Sequence, residues 1–502
     1  MGSSKSRLYK TTDEAIEALF AISSDVEDSA DDLDDCNDTG NTEIVTHAVQ
    51  SSNSVADGDT DDSDDDDVLY RLASDMSEEY TDNSTVSSDV DDDFDVNSAD
   101  DETEWSKTEV DPVALDFDAV WVVPTFPFLP TDGPLEFFSR YIDADVLELL
   151  VQQTNMYAEQ CKLRNWEDVS AEELKSFLGI LIATGLHSVP DIELFWNTDQ
   201  LFRVQPIADI MPLKRFKKIL QGLHMNDNSR APKCGETDFD KLYKVRPLIQ
   251  MMNARFKDQC VSSSSQSIDE AMVLFKGRSS LKQYMPLKPV KRGYKIWLRC
   301  DSETGYVYQF DIYAGKSDDG QVSTGLDSRV VMSLVDGIEN TGCHVAFDNL
   351  FSSVELMEEL FSRGIYATAT VRTNRKRLPV FVKHTSKMAK ADFKWRTLQN
   401  TPYVQWMDTK LVHFLSTAFS PTRLCKVQRK QKNGEKSTLT CSESVAEYTR
   451  RMGGVDRLDQ KRGSYSISRR SRRWWLQLFY FFIDCAITNA HVLHSSVHHR
   501  TV

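Results

Sequence analysis

The chain has 502 residues, with 58 Lys and Arg against 78 Asp and Glu, nine cysteines and a formal net charge of −20. Divided at Asp118, it separates into a segment with 37 acidic and 5 basic side chains, charge −32, and a remainder with 41 acidic and 53 basic ones, charge +12. A uniformly acidic enzyme is excluded, because the first part repels phosphate backbones while the second can bind them. The cysteines are scattered and contain no C-x-x-C pair, which argues against a disulfide scaffold or a cysteine zinc module. No apolar run follows Met1 to Lys10, so no secretory leader is expected and an intracellular protein is the default.

Residues 1–118 are rich in Asp and Ser, including Asp61-Asp62-Ser63-Asp64-Asp65-Asp66-Asp67. Such a segment repels itself and has too little apolar surface to offset its ordering entropy, so a long disordered acidic N-terminus is expected. Ser24, Ser29, Ser63 and Ser88 each precede an acid by three residues, the spacing an acidophilic kinase reads. The segment reads as a solubilising spacer or as a tail that binds protein partners.

Residues 119–265 have helical periodicity. Ser170-Ala171-Glu172-Glu173 is a capping box, followed at one-face spacing by Leu174, Phe177, Leu178, Leu181, Ile182 and Gly185. Over Met211 to Leu223, Leu213, Phe216, Ile219, Leu220 and Leu223 alternate with Lys214, Arg215, Lys217 and Lys218, a basic face open to DNA or to solvent. Near Ser267 the period changes. Strands are expected at Ile268 to Phe275, Lys295 to Cys300 and Tyr306 to Tyr313, the last two joined by the turn Asp301-Ser302-Glu303-Thr304-Gly305. A helix at Asp327 to Ile338, a strand at His344 to Phe347, a helix at Ser353 to Arg363 and a strand at Ile365 to Val371 follow. Three strands, helix, strand, helix, strand is the order of an α/β RNase H-like core with a mixed sheet faced by helices.

The expected division is therefore 1–118 disordered, 119–265 helical, 266–372 the first part of the core, 373–435 an insertion domain, 436–459 the final core helix and 460–502 a basic and aromatic helical segment. Within the insertion, Tyr403 to Trp406 and Val412 to Ser416 read as strands, and one helix is expected at Ser444 to Leu458. Trp474 to Leu493 is apolar but interrupted by Gln477, Asp484, Thr488, Asn489 and His491, so it reads as a core helix rather than a membrane span.

Phosphodiester chemistry uses paired hard cations held by carboxylates from separate elements. Asp269 lies in the first strand and Asp348 just past the fourth, and neighbouring strands would join them across 79 residues of sequence. Asp456 and Asp459 are one helical turn apart and can share a face. Asp301 and Asp311, by contrast, fit a hairpin turn and an exposed strand position.

These residues carry a resemblance. Ser267-Ile268-Asp269-Glu270 with Phe275-Lys276-Gly277-Arg278, Tyr284-Met285-Pro286, Lys288-Pro289 and Gly293-Tyr294-Lys295-Ile296-Trp297 resembles the first catalytic block of piggyBac-type transposases. Phe347-Asp348-Asn349-Leu350-Phe351-Ser352-Ser353 is similar to the second block, Met452 to Gln460 to the third, and Trp406, Asp408 and Lys410 to a weaker motif. The likeness spans about residues 119–495. It implies an RNase H-like catalytic core interrupted by an insertion domain and flanked by a helical domain that binds DNA and dimerises. Asp269, Asp348 and Asp456 would be the metal-binding catalytic triad and Asp459 a further acidic residue of that site. The implied chemistry is Mg²⁺-dependent strand cleavage, with Mn²⁺ an alternative ion, then hairpin formation and joining of a 3′-OH to a TTAA target. The family commonly ends in a cysteine-rich zinc module. No cysteine follows Cys485, so no structural zinc is expected here, and Thr449 stands where the family more often has Asn. His491, His494 and His498 share a helical face but read as an exposed terminus.

Lys461, Arg462, Arg469, Arg470, Arg472 and Arg473 follow the third block, and Arg372, Arg375, Lys376 and Arg377 form a second cluster. Both are candidate contacts for double-stranded DNA, the second also a nuclear localisation signal. Trp474 and Trp475 read as core packing. The sequence thus points to a nuclear piggyBac-like DNA transposase or a domesticated derivative, with transposon ends and a TTAA-type target as DNA partners, homodimeric and without a membrane role. The alternative is a catalytically silent DNA-binding host protein that keeps the fold.

Overall fold

The computed structural model describes residues 105–108, 122–187, 189, 191–286, 288–315, 326–379, 388–430 and 436–498. Almost all of the segment expected to be disordered, with its four serines, lies outside these residues.

Strand β1 (Val123–Pro124) leads into helices α1 (Pro134–Phe138), α2 (Ala144–Gln160), α3 (Ala171–Leu186), α4 (Gln205–Ile210), α5 (Leu213–Gly222) and α6 (Arg246–Asp258). Strand β2 (Cys260–Val261) then pairs antiparallel with β1. Local signals start these helices: Asp143 accepts from the Val146 amide at the head of α2, and Ser170 from the Glu173 amide at the head of α3. The capping box is half formed, because the Glu173 carboxylate turns to Arg215 on α5 (2.5 Å) instead of back to its own cap. Lys217 on the same basic face pairs with Glu193 (2.5 Å), so two of the four cations noted there hold the helices together.

The sheet begins with β3 (Ser265–Leu274), β4 (Gln283–Tyr284), β5 (Arg292–Asp301) and β6 (Val307–Ile312). It continues through α7 (Leu326–Leu334), β7 (His344–Phe347), α8 (Val354–Ser362) and β8 (Tyr366–Thr370). Strands β9 (Phe393–Leu398), β10 (Thr401–Met407) and β11 (Leu411–Ser416) follow. Strand order is β4-β5-β3-β7-β8-β11-β10-β9, with β6 also on β5. β3, β7 and β8 are mutually parallel, and β5 and β11 pair antiparallel at the two sides of that trio. The span expected as an insertion thus adds three strands to the same sheet. β12 (Leu424–Lys430) and β13 (Lys436–Ser442) form a separate antiparallel ribbon, fastened by the Trp406 indole donating to the Thr440 carbonyl (3.2 Å) and by Arg429 with Asp408 (3.3 Å).

The helix expected over Ser444 to Leu458 is two, α9 (Glu443–Arg451) and α10 (Gly454–Ser464), parted at Met452 and Gly453. Adjacent glycines disfavour continuing a helix, and Gly454 is taken up by a docking contact described below. The last helix, α11 (Trp474–His498), is long and apolar enough to cross a membrane by composition, yet 94% of its most apolar window is buried inside the protein. Its polar residues are placed internally: Asn489 both accepts from and donates to the Val307 backbone (2.8 and 2.9 Å). Asp484 accepts from the Ile467 amide (3.1 Å) and the Ser466 hydroxyl (2.7 Å).

One apolar core lies between α11, the N-terminal helices and one face of β3, β5 and β6. A second lies on the opposite face, where α7 and α8 cover Ile268, Trp297, Val345 and Phe347. Asp311, expected to be exposed, is half-buried, and burial raises its carboxyl, with Arg246 opposing. The eight cysteines among the described residues are all free thiols.

Candidate active site

Ile268 on β3 is the register partner of Phe347 on the parallel strand β7, so Asp269 and Asp348 follow at the same level on adjacent strands. Neighbouring strands run about 4.8 Å apart, which makes these two carboxylates neighbours despite their separation in sequence. The Asp348 carboxylate accepts from the Leu350 amide (2.8 Å), fixing the turn after β7, and Asp269 accepts from the Glu270 amide (2.7 Å).

The third carboxylate arrives by helix docking. Ser267 and Asp269 lie on one face of β3, and the Gly454 amide donates to the Ser267 hydroxyl (3.1 Å). A Cβ at Gly454 would stand 2.4 Å from that hydroxyl and 2.5 Å from the Asp301 carbonyl, so only glycine lets α10 lie flush on the strand. The hairpin turn supports the other side of the helix: Gly305, at φ +74°, abuts the Leu458 amide, and Arg457 donates to the Ser302 carbonyl (2.8 Å). Asp456, two residues beyond Gly454, is in the first turn of α10 and shares Lys288 and Glu270 with Asp269 as charged neighbours.

The electrostatics show that the three carboxylates share one neighbourhood. Burial pushes the Asp269 carboxyl well up, with Lys288 opposing and Glu270 and Asp348 adding to the rise. Asp348 is raised by burial and Glu270. Asp456 is raised by desolvation and Asp459, again against Lys288. Lys288 therefore faces all three, and its Nζ lies 3.3 Å from Glu270. Tyr448 on α9 is held up by burial and by the same three aspartates. Asp459, whose charge adds to the rise at Asp456, also binds Arg462 (2.8 Å), and that guanidinium packs on Phe481.

Glu270, Lys288 and Tyr448 escape a sequence reading of this site. Glu270 adjoins a candidate residue and so was within reach, whereas nothing local aims Lys288, 19 residues past Asp269, back at the carboxylates.

The expected DNA contacts divide. Arg473 donates to the Leu220 and Gln221 carbonyls (2.7 and 3.4 Å) and covers Trp475, closing the end of α5. Arg469 donates to the Thr184 carbonyl at the end of α3 (2.5 Å). Arg375 donates to the Leu350 carbonyl (2.5 Å), Arg372 to the Asn349 side chain (3.1 Å), and Arg377 forms a fork with Glu358 (2.7 and 3.0 Å). Arg372, Lys376, Arg470 and Arg472 are exposed, and Lys461 is half-buried. Trp475 is buried and Trp474 packs edge-on to Tyr294. His494 packs on both Phe137 and His498, and His498 reaches the Asp132 carbonyl.

Whether the carboxylate group suits a divalent cation can be judged from its donors. All are hard oxygens, the buried Glu270 Oε2 has no hydrogen-bond partner, and the carboxyls are raised partly by mutual repulsion. Among the described residues no three His, Cys, Asp or Glu side chains close to ligand distance. An open set of this kind fits Mg²⁺, which takes one or two carboxylates and completes its shell with water and substrate phosphates.

A family model described as Transposase IS4 matches residues 133–491. The chain belongs to the piggyBac-type transposase family. It is 32% identical over 376 residues to the human PiggyBac transposable element-derived protein 2, covering 72% of this chain and 61% of that protein. With the human PiggyBac transposable element-derived protein 3 it shares 30% identity over 409 residues, 79% of this chain and 67% of the relative. Its fold matches the cryo-EM structure of a piggyBac transposase synaptic complex with hairpin DNA, at a TM-score of 0.63 and 24% identity, covering 75% of this chain and 78% of that one. Metal-dependent chemistry on divalent ions is general to this class of transposase.

Proposed function

We propose that this chain is a nuclear DNA transposase, or a derivative that keeps its chemistry, cleaving DNA strands and joining them to TTAA-type targets as a homodimer. The observation that carries the reading is the joint placement of Asp269 and Asp348 by β-sheet register and of Asp456 by the Gly454 contact. The order β3, β5, β6, α7, β7, α8, β8 also agrees with an RNase H-like core.

Asp269, Asp348 and Asp456 would hold the Mg²⁺ ions. Bound there, the ions would supply an activated oxygen nucleophile and charge stabilisation at the leaving oxygen. One oxygen of Asp269 and one of Asp348 are each held by a backbone amide, which leaves the other oxygen of each for a cation. Lys288 offsets part of the charge among the carboxylates and would stand beside an incoming phosphate. Exposed Arg372, Lys376, Arg470 and Arg472 would carry flanking DNA.

The full-length protein with terminal-repeat DNA and Mg²⁺ should give nicked and joined products, and Asp269→Asn, Asp348→Asn or Asp456→Asn should each lower the rate by 100-fold or more while leaving the melting temperature within a few degrees. Intact, folded protein without cleavage would instead support a catalytically silent DNA-binding protein. One feature favours that second reading: Lys288 already lies 3.3 Å from Glu270 and faces the aspartates, supplying a resident cation.

A further inference from the structure

Trp105 is the only tryptophan among residues 1–118, and it stands directly after the acidic run Asp100-Asp101-Glu102-Thr103-Glu104. Composition groups it with the acidic segment, yet the structure ties it to the sheet.

The tie begins at the edge strand. Pro402 on β10 has no N–H and is the register partner of Thr397 on β9, so the Thr397 amide and carbonyl turn outward from the sheet. Thr397 is buried, and buried backbone groups left unpaired are costly. Ser106 supplies both partners: its amide donates to the Thr397 carbonyl (3.0 Å), and its carbonyl accepts from the Thr397 amide (2.9 Å). Trp105 packs on the second core, edge-on to Tyr403 at 6.2 Å, and its indole donates to the Arg377 carbonyl (2.8 Å).

That carbonyl belongs to a turn that needs holding. Arg377 has φ +58°, a left-handed conformation that a non-glycine residue keeps only when its surroundings fix it. Its guanidinium is fixed by the fork with Glu358 on α8, and its carbonyl by Trp105. In the same turn Arg372 binds the Asn349 side chain and Arg375 the Leu350 carbonyl. The Leu350 amide donates to the Asp348 carboxylate (2.8 Å). A series of hydrogen bonds linked by short stretches of chain thus runs from the β9 edge to Asp348, and Trp105, Leu378 and Leu350 all pack against one core.

We propose that Trp105 and Ser106 form a strap and that Trp105 is a positioning residue for the carboxylate site: closed on β9, the strap fixes the turn over residues 372–378, whose arginines fix the loop that carries Asp348. The consequence for cleavage rests on the reading of Asp269, Asp348 and Asp456 as a metal-dependent site; the coupling from strap to Asp348 does not.

The test compares full-length variants by hydrogen exchange over residues 348–352 and 371–378, beside cleavage rates across a Mg²⁺ series. Trp105→Ala should speed exchange of the Leu350 and Arg375 amides by about tenfold and raise the Mg²⁺ concentration for half-maximal cleavage severalfold. Trp105→Phe keeps a ring and loses the donor, so it should give part of each effect. Ser106→Pro removes the amide that donates to Thr397 and should act like Trp105→Ala, which keeps the test open if that variant folds poorly. Ser106→Ala keeps both backbone bonds and should match the wild type. Unchanged exchange over 348–352 in Trp105→Ala and Ser106→Pro overturns the proposal even if β9 itself opens, because the strap would then be local packing. A wild type that never cleaves sinks the enzymatic reading, while faster exchange at the Leu350 amide in the variants would still uphold the coupling.

Discussion

Asp484 shows how a single residue can make the stability of this protein depend on pH. Burial in α11 pushes its carboxyl up to about 7, against the Ile467 and Ser466 hydrogen bonds and Arg462, which all favour the ionised form. An unfolded chain would release that proton near pH 4. Between about pH 4 and 7 the folded state therefore holds a proton that the unfolded state has lost, and stability falls as pH rises through this window. Asp484→Asn removes the titration, so its melting temperature relative to wild type should climb between pH 5 and pH 8; a constant difference would assign the carboxyl an ordinary value. Arg473 makes the opposite kind of point. Its sequence position beside other arginines suggested DNA, but its guanidinium serves the Leu220 and Gln221 carbonyls. Arg473→Ala should cost about 1–3 kcal/mol through the lost charged hydrogen bonds and the exposed end of α5, measured by denaturant titration, with little change in the salt dependence of DNA binding.

At the scale of elements, the decisive contact is the seat of α10 on β3. Gly454 has no room for a methyl group against Ser267 and Asp301, so Gly454→Ala must lift the helix and carry Asp456 away from Lys288. Overpacking of this kind costs about 1–3 kcal/mol, and strand cleavage should fall far more than the melting temperature, as read by parallel activity and thermal-melt assays. Elements also differ in how visible they are before folding. His344 to Phe347 is found on its observed boundaries because an apolar run stops at a carboxylate. Strands β9 and β13 escape for different reasons: Phe-Lys-Trp-Arg opens β9 with an alternation too short to stand alone, and Lys-Ser-Thr-Leu-Thr-Cys-Ser is mostly polar, so the backbone ladders to β10 and β12 set both. The same ignorance of partners turned two helices into one at Met452 and Gly453.

Over the whole molecule, charge is segregated between a −32 segment and a +12 body. An acidic segment tethered to a basic body competes with DNA for it, most strongly where screening is weak. Removal of residues 1–118 should thus tighten DNA binding at low salt and change it little at high salt; equal affinities at low salt would leave the segment a passive spacer. The sequence alone determined that segregation, the helix caps, the period change near Ser267 and the motif blocks of a piggyBac-type transposase, because each is written in short-range pattern and composition. Tertiary structure decided which of those residues meet. Register between β3 and β7 joined Asp269 to Asp348, a glycine seat brought Asp456, and Lys288 returned to face them from the β3–β5 loop. Such contacts depend on pairing and packing across tens to hundreds of residues, and no local period records them. For the same reason half of the cations that sequence assigned to DNA proved to be holding helix ends, loop carbonyls and carboxylates of the protein itself.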